Sequence, residues 1–276
     1  MSIKEITPEC TDKRRVLEDG LKGMKRVALA FSGGVDSTFL LALASRAGLE
    51  KVLAITVSSP FFTRAEKALA RKLANSLGVA HICLDLDILE KNEVVQNTPE
   101  RCYFCKGHIF SLVRKTAIHH GIDRFLHAVN TDDLGDFRPG LAAAKELGFV
   151  APLADAGFSK QEIRACSRQM GLATWDLASQ SCLATRIPYH EPITREKLGM
   201  IAQGEAFLRE LGFGNVRVRC HGTMARIEME PGQILTLAQK DMRQRVSRGL
   251  KQIGFSYVAF DLDGYTPGNM NNFLTQ

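Results

Sequence analysis

The stretch Val27-Ala-Leu-Ala-Phe-Ser-Gly-Gly-Val-Asp-Ser-Thr38 decides the fold. An apolar run ends at Ser32-Gly33-Gly34, and a helical-period segment, Phe39 to Leu43, follows Asp36 and Ser37. This is a strand, a glycine turn and a helix start. Glycines let backbone approach a phosphate closely and accept positive φ. The helix N-terminus beyond them offers free N–H groups and partial positive charge to an anion. Ser32 and Ser37 add hydroxyls, and Asp36 can hold a Mg²⁺ that bridges phosphate oxygens. A tight turn in any α/β domain is the plain alternative, but Ser-Gly-Gly-x-Asp-Ser fixes five positions between a strand and a helix.

The loop is neither a Walker A sequence, for no Gly-Lys-Ser/Thr follows, nor Gly-x-Gly-x-x-Gly. It resembles the pyrophosphate loop of the ATP pyrophosphatase (PP-loop) family. That resemblance implies an adenine nucleotide alpha hydrolase-like fold, binding of ATP with Mg²⁺, and release of pyrophosphate on adenylation of a substrate oxygen.

Outward from this loop the pattern repeats. Strands are expected at 27–31, 52–57, 81–86, 125–129 and 149–152, with helices at 12–22, 37–47, 63–78, 105–119 and 138–147. Thr63-x-x-Glu66 and Ser159-x-x-Glu162 are capping boxes that open helices. Apolar strands alternating with amphipathic helices predict an α/β fold, a doubly wound, mostly parallel sheet. Ligands then bind beyond the carboxyl ends of the strands, where Ser32–Ser37, Ser59 and Asn130–Asp133 fall.

The pattern changes at 180–193, a polar loop with Pro188 and Pro192. A helix at 194–211, period-two strands at Val216–Arg219 and Ala225–Glu228 around Gly222, a helix at 235–252 and a strand at 257–261 follow. The expected division is an ATP pyrophosphatase domain over 1–186 and a smaller α+β domain over 187–276, for substrate and oligomer contacts.

The chain has 276 residues, 45% apolar and 24% charged, as in soluble globular proteins. No apolar run approaches the roughly 20 residues of a membrane span, and the first residues have no apolar leader core, so the cytoplasm is expected. A net charge of +6 suits an anionic substrate or nucleic acid. No basic run interleaved with aromatics points to nucleic acid.

Seven cysteines in such a compartment are expected to be thiols or ligands rather than disulfides. Cys83, in an apolar strand, reads as core, and Cys166 and Cys10 as structural or incidental. Cys102-Tyr-Phe-Cys105 opens a helix and can chelate metal or cycle as a disulfide. Zinc would need four ligands, with His108 and Cys182 completing the set. An iron–sulfur cluster on Cys102, Cys105 and Cys182 would leave one iron open. Cys182 sits in a polar loop near Arg186, where a reactive thiolate is favoured. Arg217 and Arg219, two apart on a strand, share a face and suit phosphate or carboxylate.

Four segments narrow the resemblance: Cys-Tyr-Phe-Cys-Lys106, Asn130-Thr-Asp-Asp-Leu-Gly-Asp-Phe-Arg-Pro-Gly140, Cys182-Leu-Ala-Thr-Arg-Ile-Pro-Tyr189 and Val216-Arg-Val-Arg219. With the ATP loop they are similar to the LarE-type sulfur transferases of nickel-pincer cofactor biosynthesis. The likeness runs from about residue 12 to Asn271. It implies adenylation of a carboxylate of pyridinium-3,5-dicarboxylate mononucleotide, displacement of AMP by sulfur, a homo-oligomer, and other cofactor-biosynthesis proteins as partners. It assigns Asp36 and Cys182 catalytic roles. Ser32, Gly33, Gly34, Ser37, Ser59, Asn130 and Asp133 go to ATP, and Arg186, Arg217 and Arg219 to substrate. Members with the cysteine pair use a [4Fe–4S] cluster, expected here on Cys102, Cys105 and Cys182; others sacrifice the sulfur matching Cys182. Glu205 and Glu228 match acidic positions that bind a divalent metal in some members, whose third acid falls at Leu134. tRNA thiolation by the same loop is the alternative activity.

Overall fold

The computed structural model describes residues 8–135, 138–178 and 181–266, the side chains of 8–10 excepted. Parts of the Asn130–Gly140 motif (136 and 137) and of the polar loop (179 and 180) lie outside them. The chain forms two compact units: 1–88 with 100–180, and 89–99 with 181–276.

In the first unit the order is α1 (Pro8–Lys22), β1 (Arg26–Ala30), α2 (Val35–Arg46), β2 (Lys51–Ser58), α3 (Arg64–Ser76) and β3 (Ala80–Asp85). After the excursion of 89–99, which carries α4 (Asn92–Val95), come α5 (Arg101–His119), β4 (Arg124–Leu126), α6 (Thr131–Leu134), α7 (Gly140–Glu146), β5 (Phe149–Val150), α8 (Pro152–Asp155) and α9 (Lys160–Gln169). The second unit continues with α10 (Arg195–Glu210), β6 (Arg217–His221), β7 (Met224–Glu228), α11 (Ile234–Ala238), α12 (Lys240–Ile253) and β8 (Tyr257–Phe260).

The first unit's five strands are all parallel, in the order β3-β2-β1-β4-β5. Successive strand residues face opposite sides. Val27, Leu29 and Leu126 therefore join α1, α2, α3 and α9 in one core, while Ala28, Phe125 and Phe149 join α5 and α7 in the other. The sheet is doubly wound, as the alternation of elements predicts. Its order reverses between β1 and β4, so the ligand crevice of such sheets lies at their carboxyl ends. α2 is buried almost all round, from Ser37 to Ala44, which is why its sequence shows little amphipathic period.

The smaller sheet pairs β6 and β7 antiparallel across Gly222, with β8 parallel to β7. Both expected capping boxes form.

Four expectations are corrected. The helix expected at 235–252 is two, because Gln239 turns extended (ψ 139°) between α11 and α12. The strand expected to reach 152 stops at Val150, since Pro152 sits at the first turn of α8. α5 begins at Arg101 rather than 105 and so contains both cysteines of the pair. Cys83 is half-buried rather than core, because β3 is an edge strand. The break between the two compact units falls at 180/181. The Pro188–Pro192 segment resembles a linker, yet it is fastened within the second unit. Asn97, fully buried, donates its side-chain N–H groups to the carbonyls of Ile187, Pro188 and Glu191 at 3.2, 2.7 and 3.1 Å.

Candidate active site

β1 delivers the chain into the Ser32 turn. Gly33 has φ +76°, and a Cβ there would stand 3.1 Å from the Ala70 Cα of α3. Only glycine lets the loop lie this close to α3. Three hydrogen bonds close the turn: Gly34 N–H donates to Ser32 Oγ (3.3 Å), Ser32 and Ser37 hydroxyls meet at 3.0 Å, and Ser37 Oγ donates to the Gly34 carbonyl (3.1 Å). Ser37 has one hydroxyl hydrogen, so Ser32 is the donor between the two serines. Gly34 caps α2 with no side-chain acceptor. The first N–H groups of α2 therefore face the loop with no side-chain cap from the N-cap residue.

Asp36, in the first turn of α2, meets Lys160 Nζ at 2.6 Å through one carboxylate oxygen. The other, Oδ1, is buried and accepts no hydrogen bond from the described residues. Burial raises the Asp36 pKa, Lys160 pulls it back down, and Asp133 adds a smaller upward push. A buried carboxylate oxygen without a hydrogen bond, beside a glycine turn at a helix start, is a fit for a divalent cation. Hard cations take carboxylate oxygens, and Mg²⁺ on ATP commonly uses one or two.

Sequence reading missed Lys160. The Ser159-x-x-Glu162 box marks the start of α9 but not its aim. Aim comes from α6, where Asp132 Oδ2 accepts the Lys160 backbone N–H at 3.0 Å.

Ser59 and Asn130 follow β2 and β4, the strands on either side of β1, so the three loops share the carboxyl edge of the sheet. Both are buried. Ser59 Oγ accepts from Phe61 N–H (3.3 Å). Asn130 Oδ1 accepts the N–H groups of Asp132 and Asp133, and Asp133 returns a carboxylate to Asn130 N–H. Asp133 also pairs with Arg138 at 2.6 Å. These two residues shape the start of α6 beside the crevice.

Cys102 and Cys105 lie three apart in the first turn of α5, hence on one face. Arg101 donates to the Cys102 sulfur at 3.6 Å, and Cys105 packs on the α5–α7 core. Gly140 opens α7 against this turn, 3.2 Å from the Cys102 carbonyl at its would-be Cβ. Two thiols on one face are soft donors suited to iron–sulfur or zinc. Among the described residues no three His, Cys, Asp or Glu side chains are gathered as a metal site. The six cysteines with described side chains form no disulfide with one another.

The second unit holds Cys182 and the arginines. Cys182 is half-buried and precedes a 3₁₀ turn, Leu183–Arg186. Its carbonyl accepts from Thr185 N–H, Thr185 Oγ1 and Arg186. Arg186 also holds the Ser181 carbonyl and hydroxyl, at 2.8 and 2.7 Å, and meets Glu205 at 2.8 Å through Nε. Glu205, almost fully buried, also pairs with Arg209 and accepts Val218 N–H. Arg219 and Arg226 stand directly opposite on β6 and β7, and the buried Glu228 bridges them at 2.7 and 3.1 Å. Arg217 lies 5.0 Å from the Tyr265 ring. Burial lowers the Arg217 pKa, and the Arg186 charge lowers it further. Five guanidiniums, of Arg186, Arg209, Arg217, Arg219 and Arg226, thus stand among the carboxylates of Glu205, Glu228 and Asp261. Among the described residues positive charge exceeds negative charge here, which suits an anion. Glu205 and Glu228 answer arginines here.

A parallel sheet that presents this Ser-Gly-Gly-x-Asp-Ser turn at the carboxyl end of its central strand β1 is the framework of the PP-loop ATP pyrophosphatase class. A family model described as queuosine biosynthesis protein QueC, itself of that class, matches residues 26–100. An uncharacterized protein of Synechocystis is 38% identical over 253 residues, 92% of this chain and 94% of its own. The pyridinium-3,5-bisthiocarboxylic acid mononucleotide synthase of Lactiplantibacillus plantarum is 36% identical over 265 residues, 96% and 95% of the two chains. A tRNA-specific 2-thiouridylase of Beijerinckia indica is 27% identical over 226 residues, covering 66% of this chain and 51% of its own. The chain belongs to the LarE-type sulfur transferase family within the PP-loop enzymes, and it is an enzyme that uses ATP for sulfur transfer. No helix among the described residues is long and apolar enough to cross a membrane.

Proposed function

We propose that this enzyme activates a carboxylate of pyridinium-3,5-dicarboxylate mononucleotide with ATP and replaces the activated oxygen with sulfur. A carboxylate oxygen attacks the α-phosphorus, the bond to the β-phosphate oxygen breaks, and pyrophosphate leaves. The acyl adenylate then loses AMP to a sulfur nucleophile and becomes a thiocarboxylate. The observation that carries the first half is the buried, unpartnered Oδ1 of Asp36 beside the Ser32–Gly34 turn. Asp36 would hold Mg²⁺ on the phosphates, Lys160 would offset the charge that grows on pyrophosphate, and the α2 N–H groups would receive phosphate oxygens. Ser32, Gly33, Gly34, Ser37, Ser59, Asn130 and Asp133 would frame the nucleotide.

Arg217 and Arg219 would take the anionic groups of the mononucleotide, in line with the excess of guanidinium over carboxylate around them. Arg186 would set the Cys182 loop as well as add positive charge, since its guanidinium grips the carbonyls of Ser181 and Cys182. Glu205 and Glu228 would act by orienting these arginines rather than as divalent-metal ligands. A [4Fe–4S] cluster held by the soft thiols of Cys102, Cys105 and Cys182 would supply sulfide as the nucleophile. A second reading, loss of the Cys182 sulfur itself, is favoured by its half-exposed thiol on a loop clamped through its backbone. Other nickel-pincer biosynthesis proteins, a homo-oligomeric state and a cytoplasmic setting complete the reading.

Iron and acid-labile sulfide in anaerobically purified wild type and Cys182→Ala test the sulfur step. About four irons per chain in wild type, lost in the variant, are expected for a three-cysteine cluster. Iron-free protein after reconstitution, with Cys182 lighter by one H₂S after turnover, would replace the cluster with sacrifice. Pyrophosphate release that ignores the dicarboxylate mononucleotide would overturn the substrate.

A further inference from the structure

One polar chain crosses three neighbouring strands at the level of the ATP loop. Thr56, near the end of β2, donates its hydroxyl to the Phe31 carbonyl at 2.7 Å. Its oxygen also lies 2.8 Å from His81 Nε2 on β3. Thr56 has one hydroxyl hydrogen, and a carbonyl can only accept, so that hydrogen belongs to Phe31. His81 must then carry its proton on Nε2 and donate to Thr56. The Phe31 ring meets the His81 ring edge-on at 6.1 Å and closes the arrangement. Phe31 and Thr56 are buried, and Phe31 is the residue before Ser32.

From this geometry we infer that Thr56 and His81 are positioning residues for ATP. They fix the direction in which the chain enters the Ser32–Gly34 turn. α3 stops the turn on one side, through Ala70 against Gly33. The sheet holds the turn's other end at Phe31, whose N–H donates to the Ile55 carbonyl at 2.9 Å and whose carbonyl accepts from Thr56. Phosphate recognition by backbone N–H groups tolerates little misplacement, since an offset of about 1 Å can cost on the order of 10²-fold in rate. The brace uses hydroxyl and imidazole groups where apolar side chains would satisfy packing alone. It depends only on the enzyme's use of ATP, so it stands apart from the thiocarboxylate reading.

The test is Mg·ATP affinity of the full chain by titration calorimetry, beside melting temperature. Thr56→Val keeps the shape and removes both hydrogen bonds; about a tenfold rise in Kd is expected. Thr56→Ser keeps the hydroxyl and should stay within about twofold of wild type. In nitrogen-15 spectra, a His81 ring proton on Nε2 is expected, assigned by its loss in His81→Gln. Unchanged affinity in Thr56→Val would overturn the inference. So would Thr56→Ser behaving like Thr56→Val, which would leave packing as the whole role. A proton on Nδ1 of His81 would overturn the direction of the chain. Because ATP binding is read directly, failure of the proposed carboxylate substrate would leave these outcomes untouched.

Discussion

Gly33 and Asp36 show what single residues contribute. Alanine at 33 would force a Cβ into Ala70 at a positive φ, and such substitutions destabilise by more than about 1 kcal/mol. Gly33→Ala should lower the urea midpoint and weaken ATP binding together. Asp36 separates the two effects. Its raised pKa means the folded protein binds that proton more tightly than the unfolded chain. The carboxylate therefore opposes folding at neutral pH, and the penalty fades as pH falls through the carboxyl range. Asp36→Asn should lower pyrophosphate release by at least about 10²-fold without lowering the melting temperature at pH 7. Any gain in melting temperature should shrink toward pH 4. A lower melting temperature at pH 7 would mean that the Lys160 pair stabilises the loop after all. His127 runs the other way. Burial, with Lys106 nearby, holds its pKa at about 4. Its neutral form is favoured, so this contribution to stability is present above about pH 6.5 and lost as pH falls toward 4. Proton NMR of His127 should show no titration between pH 5.5 and 7.5, and His127→Gln should blunt the acid loss.

Elements are where the sequence speaks most clearly and where it stops. The β1 run and the glycine turn were legible because strand, turn and helix start are local chemistry. Capping boxes at Thr63 and Ser159 were legible for the same reason. Lys160 was not, since its meeting with Asp36 spans 124 positions and no local period encodes it. The Gln239 break was hidden because both halves keep a helical period. β6 and β7 were legible as alternating strands, but their register was not. That register sets Arg219 against Arg226, an arrangement that like charges alone would oppose. Glu228 between them resolves the conflict. Glu228→Gln should cost about 3–5 kcal/mol, as for other broken buried pairs. Adding Arg226→Gln should return part of it in urea unfolding. Full additivity in that cycle would show that the bridge is not a coupled unit.

At the scale of the molecule, the second unit is assembled from two separated pieces of chain. Asn97 is the fastener, with φ +56° and its side chain among three carbonyls. Asn97→Ala would leave those acceptors short of a donor, at about 1–3 kcal/mol. Limited proteolysis should then cut first within 89–99 or 181–193, whereas an unchanged digest would assign the fastening to other contacts. The Asn97 interlock also imposes a timetable on the growing polypeptide. Its partners lie 90 to 94 positions downstream, at Ile187 through Glu191. On a ribosome that adds roughly 5–20 residues each second, the 89–99 segment must wait several seconds for them. During that interval the β1 to β5 sheet can close while this segment stays open, so the nucleotide half matures before the half that bears Cys182.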